Sequence, residues 1–383
     1  MIRMNSSIIY KTSLALLVMF FCACTTGKKS QENKEKASSA AFELKYATGF
    51  SVHEFDSYKQ VIVYNPWDID KTFATYYLVK SDTCQTPSDG LRVQIPLQKV
   101  AISSCTHIEP LRLLGELDVI AGICSPNLIY NAELQEKHAQ GKLVDLGDAM
   151  KMNVEKTLQL NPDGVFMSGY SNSDDFTAHL EKVSVPIIYN NEWMEKTLLA
   201  RAEWIKFMSL FFGQEHEADS VFQEIDNKYQ QLKKQAMDVK VKPNLMTGNN
   251  FRGTWYVPAG DNYMSHLFTD AGASYRYASD ERSGSIPLTV EQVVYEFSDA
   301  DVWVGSSANT LKELVEMDEK HTYFNAYKAG EVYNFNKRTN ATYANDFWEM
   351  GVSRPDLILA DMIKILHPEI MEEHEFFFVS KVE

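Results

Sequence analysis

Aromatic and arginine side chains stand in polar segments that follow strand-like runs of this 383-residue sequence. A guanidinium pairs with ligand oxygens through parallel hydrogen bonds, and an aromatic ring covers an apolar ligand face. These residue types predict a small-molecule site, although each has an ordinary alternative as a packed loop residue or a solvated charge. Arg252 and Trp255 are the strongest pair, because their segment "NNFRGTWYVPAGD" is polar and glycine-flanked. The candidates are His107, Tyr170, Phe251, Arg252, Trp255, Arg282 and Trp348.

Catalytic motifs are missing from the sequence. It contains no Gly-x-Ser-x-Gly elbow, no Gly-x-x-x-x-Gly-Lys loop and no His-Glu-x-x-His pair. Ser265 and His266 are neighbours, but adjacent residues on a helix point in different directions. The nine histidines are scattered singly, whereas receptors for bare transition metals use several His and carboxylates. We therefore predict no catalytic residue, no metal site and no cofactor.

The composition is that of a globular protein with room for two domains. Hydrophobic residues make up 45% of the chain and charged residues 23%. The formal net charge of −15 argues against sequence-independent binding of nucleic acid, which requires a basic surface. We expect no nucleic-acid partner.

The amino-terminal residues 1–23 have the pattern of a signal peptide. Arg3 and Lys11 flank the positive region, and the apolar run "TSLALLVMFF" is too short to span a bilayer. Ala23 directly before Cys24 resembles a bacterial lipobox, in which the cysteine is acylated; the alternative is an ordinary secretory signal. Residues 24–41 are polar and predict a flexible tether. We expect a periplasmic protein that lipid chains anchor to a bacterial membrane, with the leaflet left open.

Three cysteines follow the predicted tether, and their state has two interpretations. Cys105 and Cys124 each follow a strand-like run, so a bridge between them is one alternative. The other is that both are buried thiols, as is Cys84. An odd count leaves one thiol over in either case.

Short apolar strands alternate with amphipathic helices from Val100 onward, which predicts an α/β fold with mostly parallel sheets. Pro162 in "NPDGVFMS" ends one helix and leads directly into a strand. The same order returns after residue 238, so we predict two Rossmann-like lobes, at 42–192 and 238–383. The aromatic-rich start of the first lobe predicts strands added to the edge of its sheet. Within it, Trp67 either overhangs a cleft or packs in the core.

Residues 193–237 form a helical run between the two predicted lobes. The run predicts either a helical hairpin or one long spine, and Gly213 would cap or kink it. Two α/β lobes joined by such a spine leave a ligand cleft at the carboxyl ends of their strands.

Four segments in order resemble one known family. They are "KVAISSCTHIEPLRLLGELDVIAGI", "MNVEKTLQLNPDGVFMSG", "HLEKVSVPIIY" and "IPLTVEQVVYEFSDADVWVGS". The chain resembles, over about residues 95–370, the class III periplasmic binding proteins. These are helical-backbone lipoproteins of ABC importers for iron–siderophore, haem and cobalamin.

The resemblance implies a monomeric receptor that delivers a metal chelate, foremost a ferric siderophore, to an ABC importer permease. The family's permease-docking carboxylates match Glu155 and Glu291 here. The alternative for both is an ordinary acidic residue in the first turn of a helix. Cobalamin binders of the family carry Trp where this chain has Ala149, and this difference weakens the expectation of a corrinoid ligand. Corrinoid and haem remain alternatives; a bare-metal receptor and an enzyme are more distant ones.

Overall fold

The computed structural model describes residues 42–68, 70–170, 180 and 185–383. The predicted signal peptide at 1–23, the lipidation site Cys24 and the tether at 24–41 all lie outside these residues. Among the described residues, no helix is both long and apolar enough to cross a membrane.

The aromatic-rich start of the described chain forms a sheet of its own. Strands β1 to β3 are antiparallel, and β4 pairs parallel with β3. The prediction that these strands extend the parallel sheet of the first lobe is therefore wrong. The physical reason is that helical residues cover one face of the separate sheet: Phe50 contacts Trp204, and Tyr76 contacts Phe207. The strands are β1 (Phe50–Glu54), β2 (Tyr58–Tyr64), β3 (Thr72–Val79) and β4 (Leu91–Gln94).

The first lobe contains a five-stranded parallel sheet of order β11-β10-β5-β6-β7. Its strands are β5 (Val100–Ile102), β6 (Ile120–Ile123), β7 (Val144–Asp145), β10 (Gly164–Met167) and β11 (Ile187–Tyr189). Its helices are α1 (Ile108–Leu113), α2 (Ala132–Ala139) and α3 (Val154–Leu160), and a small hairpin joins β8 (Gly147–Asp148) to β9 (Lys151–Met152).

The joint between α3 and β10 shows why "NPD" stands there. Asn161 ends the helix in the left-handed conformation (φ 48°), and Pro162 cannot continue it. The Asp163 carboxylate then accepts the backbone N–H groups of Gln98 and Lys99, both at 2.8 Å. This contact places the start of β10 beside the start of β5.

The second lobe has a five-stranded sheet of order β15-β12-β17-β18-β19, parallel except for its last strand. Its strands are β12 (Asn244–Thr247), β15 (Ser274–Tyr275), β17 (Val302–Val304), β18 (Val332–Asn334) and β19 (Ser380–Lys381). Its helices are α7 (Tyr263–Asp270), α8 (Val290–Phe297), α9 (Leu311–Met317), α10 (Asn325–Ala329), α11 (Asp346–Glu349) and α12 (Pro355–Leu366).

A three-stranded antiparallel sheet also belongs to this lobe and was not predicted. It consists of β13 (Asn250–Phe251), β14 (Thr254–Pro258) and β16 (Ser285–Leu288). The segment "TWYVP" alternates as a strand does, because Trp255 and Val257 are buried while Tyr256 is exposed.

The helical segment between the lobes folds back on itself at Gly213 (φ 71°). It consists of α4 (Leu198–Glu203), α5 (Ile205–Ser209) and α6 (Glu215–Met237), and α5 packs against α6. The arrangement is thus a helical hairpin rather than one continuous helix. With 23 residues, α6 is about 34 Å long.

Helix α6 belongs to both hydrophobic cores. Its side chains Ala218 and Phe222 pack in the core of the first lobe. Nearer its carboxyl end, Tyr229 and Ala236 pack in the core of the second lobe. The helix therefore serves as the spine that joins the two lobes.

Two buried carboxylates hold the first described residues against the helical hairpin. Glu203 is fully buried and accepts the backbone N–H groups of Lys45, Tyr46 and Ala47 at 2.7–3.1 Å. Glu195 accepts those of residues 48 and 49 and the indole N–H of Trp204. Because a carboxylate saturated by N–H donors is stable in the interior, these contacts fix the entry of the chain.

We predict that Glu203→Ala lowers the free energy of unfolding by about 3 kcal/mol, because three backbone donors lose their acceptor. Urea unfolding followed by circular dichroism measures the change. The matched control is Glu217→Ala, which removes an exposed carboxylate from the first turn of α6. Equal effects of the two substitutions would contradict the role given to Glu203.

Candidate functional site

The carboxyl ends of the two main sheets face each other across the lobe boundary. In the first lobe, Tyr130 follows β6 and donates its backbone N–H to Glu349 in α11 of the second lobe, at 2.7 Å. The amide of Asn340 donates to the Ile129 carbonyl at 3.1 Å. The Sγ atom of Cys105, after β5, lies 3.9 Å from the second lobe's Trp348 carbonyl. The loops at the carboxyl ends of the two sheets thus meet at the lobe boundary, which is where the sequence predicted the cleft.

A cavity of about 550 Å³ is lined by residues from both lobes. From the first lobe come the turn after β2 and the residues after β11, and from the second come the residues before α7 and those before β16. This volume lies in the range of small-molecule pockets. The lining residues are Thr48, Gly49, Tyr64, Asn65, Pro66, Trp67, Asn191, Trp193, Met194, Glu195, Lys196, Asp261, Asn262, Tyr263, Ser283 and Gly284.

Trp67 and Trp193 form an aromatic wall of this interlobe cavity, and Phe73 and Tyr170 pack against them without lining it. The ring centroid of Trp193 lies 6.3 Å from that of Trp67 and 5.7 Å from that of Tyr170. Phe73 packs behind Trp67 at 5.8 Å. Burial and the nearby Glu192 raise the pKa of Tyr170, so its phenol is neutral and available as a donor. The wall presents apolar surface to any molecule that enters.

Tyr170 and Trp348 both lie near the lobe boundary, Tyr170 after β10 as predicted and Trp348 within helix α11 rather than in a loop after a strand. Tyr170 is 44% exposed and packs against Trp193, but it is not among the residues that line the larger cavity. Trp348 is 54% exposed and lines a second cavity of about 260 Å³ on the second-lobe side. Tyr263 lines both cavities, so the two adjoin. Ligand contact by either residue stays a prediction.

Trp255 and His107 do not fit their predicted ligand roles. Trp255 is fully buried in the second-lobe core, where its indole N–H donates to the Thr247 carbonyl at 2.9 Å. His107 is fully buried beside Phe166, and burial lowers its pKa to about 3. Both side chains are packing residues, because the strand or turn that holds each one directs it inward.

The arginine candidates have partners in their own loops. The Arg282 guanidinium binds both carboxylate oxygens of Asp280, and that contact raises the pKa of Arg282. Arg252 lies over the ring of the exposed Phe251 at 5.1 Å. It lines a separate depression of about 350 Å³ that second-lobe residues form alone. The structure therefore places these three candidates outside the lining of the interlobe cavity.

Sequence reasoning missed Trp193 and Tyr263, and it gave Trp67 only as an alternative. Trp193 was counted as the first residue of the helical run. The helix in fact begins at Leu198, where the Thr197 side chain caps it by accepting the Ala200 N–H. This threonine cap was thus the signal that the α-helix starts only at Leu198, and Trp193 lies before it in a short 3-10 helix, Glu192–Met194.

The cysteines are free thiols among the described residues, so the alternative of a Cys105–Cys124 bridge is wrong. Burial raises the pKa of both thiols to about 12. Both are therefore protonated at neutral pH and unreactive as nucleophiles. Within the described ranges, no group of three or more His, Cys, Asp or Glu is arranged to hold a metal ion.

Glu155 and Glu291 occupy equivalent positions in the two lobes. Each is exposed in the first turn of a helix that leads into a parallel strand, α3 into β10 and α8 into β17. Each helix start therefore lies toward the carboxyl edge of its sheet. Lys320 contacts the Glu291 carboxylate at 2.9 Å and lowers its pKa. Both carboxylates are available to a partner at this edge.

We predict a pH-dependent gain in stability from Glu349→Gln. Burial raises the pKa of Glu349 from 4.5 to about 7. Because the folded protein then holds this proton more tightly than the unfolded chain, the free energy of unfolding falls as the pH rises from 4.5 to 7. The amide keeps an oxygen for the Tyr130 N–H but never ionises. The free energy of unfolding should rise by up to about 3 kcal/mol near pH 8 and change little near pH 4.

Thermal unfolding at the two pH values measures this difference. Glu133→Gln, at an exposed position in α2, serves as the control. The same shift at both pH values would show that ionisation of Glu349 is not the cause.

A family model described as periplasmic binding protein matches residues 100–339. Two uncharacterized lipoproteins of Methanocaldococcus jannaschii are similar along most of the chain. One is 24% identical over 365 residues, covering 88% of this chain and 85% of the relative. The other is 21% identical over 369 residues, covering 90% and 88%.

Solved structures share the fold at low sequence identity. A periplasmic binding protein from Veillonella parvula has a TM-score of 0.56 at 14% identity, covering 84% of this chain and 98% of that one. The periplasmic vitamin B12 binding protein of Vibrio cholerae has 0.51 at 16%, covering 73% and 99%. A periplasmic heme-binding protein from Roseiflexus sp. RS-1 has 0.54 at 15%, covering 70% and 97%.

These matches confirm the predicted α/β fold with two lobes. The family model spans well over half of the chain, and family members are solute-binding proteins rather than enzymes. The chain belongs to the periplasmic binding protein family, with the two-lobed class III fold of receptors for ABC importers.

Proposed function

We propose that this protein is a lipid-anchored receptor that captures a bulky metal chelate, foremost a ferric siderophore, for an ABC importer. The observation that carries the proposal is the interlobe cavity of about 550 Å³, with Trp67 and Trp193 on one side and Tyr263 on the other. Both lobes supply lining residues, so a bound molecule contacts both at once. Family membership supports the same function.

The aromatic wall suits a chelate better than a bare ion. A metal ion needs converging carboxylates, imidazoles or thiolates, whereas Trp67 and Trp193 offer apolar ring surface. A chelate carries its metal inside an organic shell, and that shell is what the rings contact. Corrinoid and haem are alternative chelates of the same kind, since the fold is shared with a vitamin B12 binding protein and a heme-binding protein.

We propose that Cys24 carries the lipid and that residues 24–41 tether the receptor to the membrane. The sequence pattern before Cys24 supports this proposal, and two relatives are named as lipoproteins. The receptor then works as a monomer close to its importer.

We propose that Glu155 and Glu291 dock the receptor on the permease. One carboxylate on each lobe fixes the orientation of a rigid body more than it adds affinity, because each exposed ion pair contributes only about 0–1 kcal/mol. Glu291 already pairs with Lys320, so docking on a basic permease surface exchanges one cationic partner for another.

Tryptophan fluorescence tests the ligand class. Titration with ferric siderophores, haemin and cyanocobalamin should quench emission for at least one chelate, because Trp67 and Trp193 line the cavity. The combined change of both residues to Phe should remove most of that quenching, whereas Trp255→Phe, in the buried core, should leave it. Stoichiometric binding of free zinc without chelate binding, or conversion of a chelate into a product, would refute the proposal.

Charge reversal tests docking. The double variant Glu155→Lys and Glu291→Lys should bind its chelate with unchanged affinity but abolish uptake in cells that carry the importer. The matched control reverses Glu133 and Glu316, which are exposed on other helices and, like Glu291, each contact a lysine. Normal uptake by the first variant would rule out the docking assignment while leaving ligand capture intact.

A further inference from the structure

One short segment of the first lobe, just before α2, is held by three side chains of the second lobe. Glu349 in α11 accepts the backbone N–H of Tyr130 at 2.7 Å, and the amide of Asn340 donates to the Ile129 carbonyl at 3.1 Å. The guanidinium of Arg338 lies over the Tyr130 ring, 5.2 Å from its centroid. We call these five residues the interlobe latch.

The first-lobe half of the latch is fixed to its own lobe. The Ile129 carbonyl also accepts the side-chain amide of Gln135 at 2.6 Å, and the Asn131 side chain caps α2 by accepting the Leu134 N–H at 3.0 Å. Because these contacts hold the segment to α2, a separation of the lobes at this place must break the contacts across the boundary.

The second-lobe half of the latch is also fixed by contacts within its own lobe. The Asn340 Oδ1 atom accepts two backbone N–H groups of its own loop, both at 3.0 Å, so the amide orientation is set and its NH₂ group is the donor to Ile129. The Arg338 guanidinium pairs with Asp346 at 2.5 Å and also lies over the Phe377 ring, at 4.5 Å. The latch thus joins two ordered surfaces.

The latch and the aromatic wall lie at different ends of the lobe boundary. The latch segment follows β6, whereas Trp193 follows β11, and these strands are three positions apart in the first-lobe sheet, or about 14 Å. Trp348, beside Glu349 in α11, lines the smaller cavity, which adjoins the interlobe cavity at Tyr263. The latch therefore closes the boundary on the side away from the tryptophans of the wall.

Glu349 is the latch residue whose charge depends on pH. It is 4% exposed, and among the described residues it has no ion-pair partner. Burial, together with the nearby carboxylates of Asp346 and Glu109, raises its pKa to about 7. The Tyr130 N–H opposes this rise because it stabilises the ionised form, but it does not cancel it.

Other titratable and charged groups surround Glu349 on the elements that pack against it. Within the described part of the chain, each of the other carboxylates has an arginine partner, and burial keeps the one thiol protonated, with a pKa of about 12. Glu349 is therefore the unpaired acid of this set. The set consists of Cys105 in the turn before α1, Glu109 and Arg112 in α1, Arg338 and Asp346 at α11, and Arg354 and Asp356 at the start of α12.

We propose that the latch holds the lobes together at this end of the boundary and that ionisation of Glu349 loosens it. In the closed latch the ionised carboxylate is shielded from bulk water and faces no cation of its own, whereas opening hydrates it. The closed latch therefore holds the proton more tightly than the open one. Closing is favoured near pH 5 and loses this contribution as the pH rises through about 7.

The opening is local. Helix α6 contributes to both hydrophobic cores, so release of the latch changes the α11 end of the boundary while the cores stay packed. For the receptor proposed above, and resting on that function, a looser latch near neutral pH eases passage of the ligand between solvent and the two adjoining cavities. The latch itself depends only on contacts within this chain.

Hydrogen exchange resolved to single amides tests the latch on the purified protein with no ligand added. After correction for the intrinsic exchange rate, protection of the Tyr130 amide should be about tenfold lower near pH 8 than near pH 5. Low urea concentrations should leave this exchange unchanged, because local opening exposes little surface. They should accelerate exchange of the Cys124 amide, which donates to the Ile102 carbonyl inside the first-lobe sheet and opens by global unfolding.

Two variants isolate the carboxylate. Glu349→Gln keeps an oxygen for the Tyr130 N–H but cannot ionise, so protection of this amide should become equal at the two pH values. Glu349→Ala removes the acceptor and should lower protection about tenfold at both. The matched control is Glu133→Gln, which neutralises an exposed carboxylate three residues after Tyr130 and should keep the wild-type response.

The outcomes separate the latch from the proposed function. A pH difference that persists in Glu349→Gln would overturn the role of ionisation. Equal urea sensitivity of the Tyr130 and Cys124 amides would overturn the latch, because the boundary would then open only on global unfolding. Both results leave chelate capture standing. Failure of ferric siderophores, haemin and cyanocobalamin to bind would instead contradict the receptor function and leave the latch intact.

Discussion

Helix α6 contributes side chains to two hydrophobic cores, with Phe222 in one and Tyr229 in the other. Moving the lobes far apart would pull one end of this helix out of its core, and each large side chain exposed would cost about 2 kcal/mol. The helix therefore fixes the spacing of the two sheets and keeps the space between them open. Only small lobe movements are compatible with such a shared helix, in contrast to receptors whose lobes are joined by extended strands.

Two buried carboxylates of the helical hairpin, Glu195 and Glu203, hold the aromatic wall in place. Glu195 and Glu203 bind the backbone of residues 45–49 and thereby attach the separate first sheet to the helical hairpin. That sheet carries Trp67 on the turn after β2, where it meets Trp193. A carboxylate in the interior is costly unless its oxygens are saturated, so these backbone contacts fix both the sheet and the tryptophan.

The alternation of strands and helices could be predicted from the sequence because it depends on local apolar periodicity, and the "NPD" joint because proline restricts the backbone locally. The side chains that line the cavity could not be predicted in this way, because their directions depend on tertiary packing. Trp255 stands in a polar, glycine-flanked segment that looks like a loop, yet alternation along β14 directs it into the core. Arg282 looks free in the sequence, but Asp280 two residues earlier binds its guanidinium. Trp193 was assigned to a helix that starts only after Thr197.

Some residues that line the interlobe cavity also belong to the segment that joins the lobes. Asn191 and Trp193 stand on the chain between β11 and α4, and Lys196 on the same segment pairs with Asp261 of the second lobe. A molecule in this cavity therefore contacts the connecting segment and Tyr263 of the second lobe together. Such a molecule shifts the relative position of the lobes only as far as it binds one arrangement more tightly than the other, and the helix that both cores share keeps that shift small.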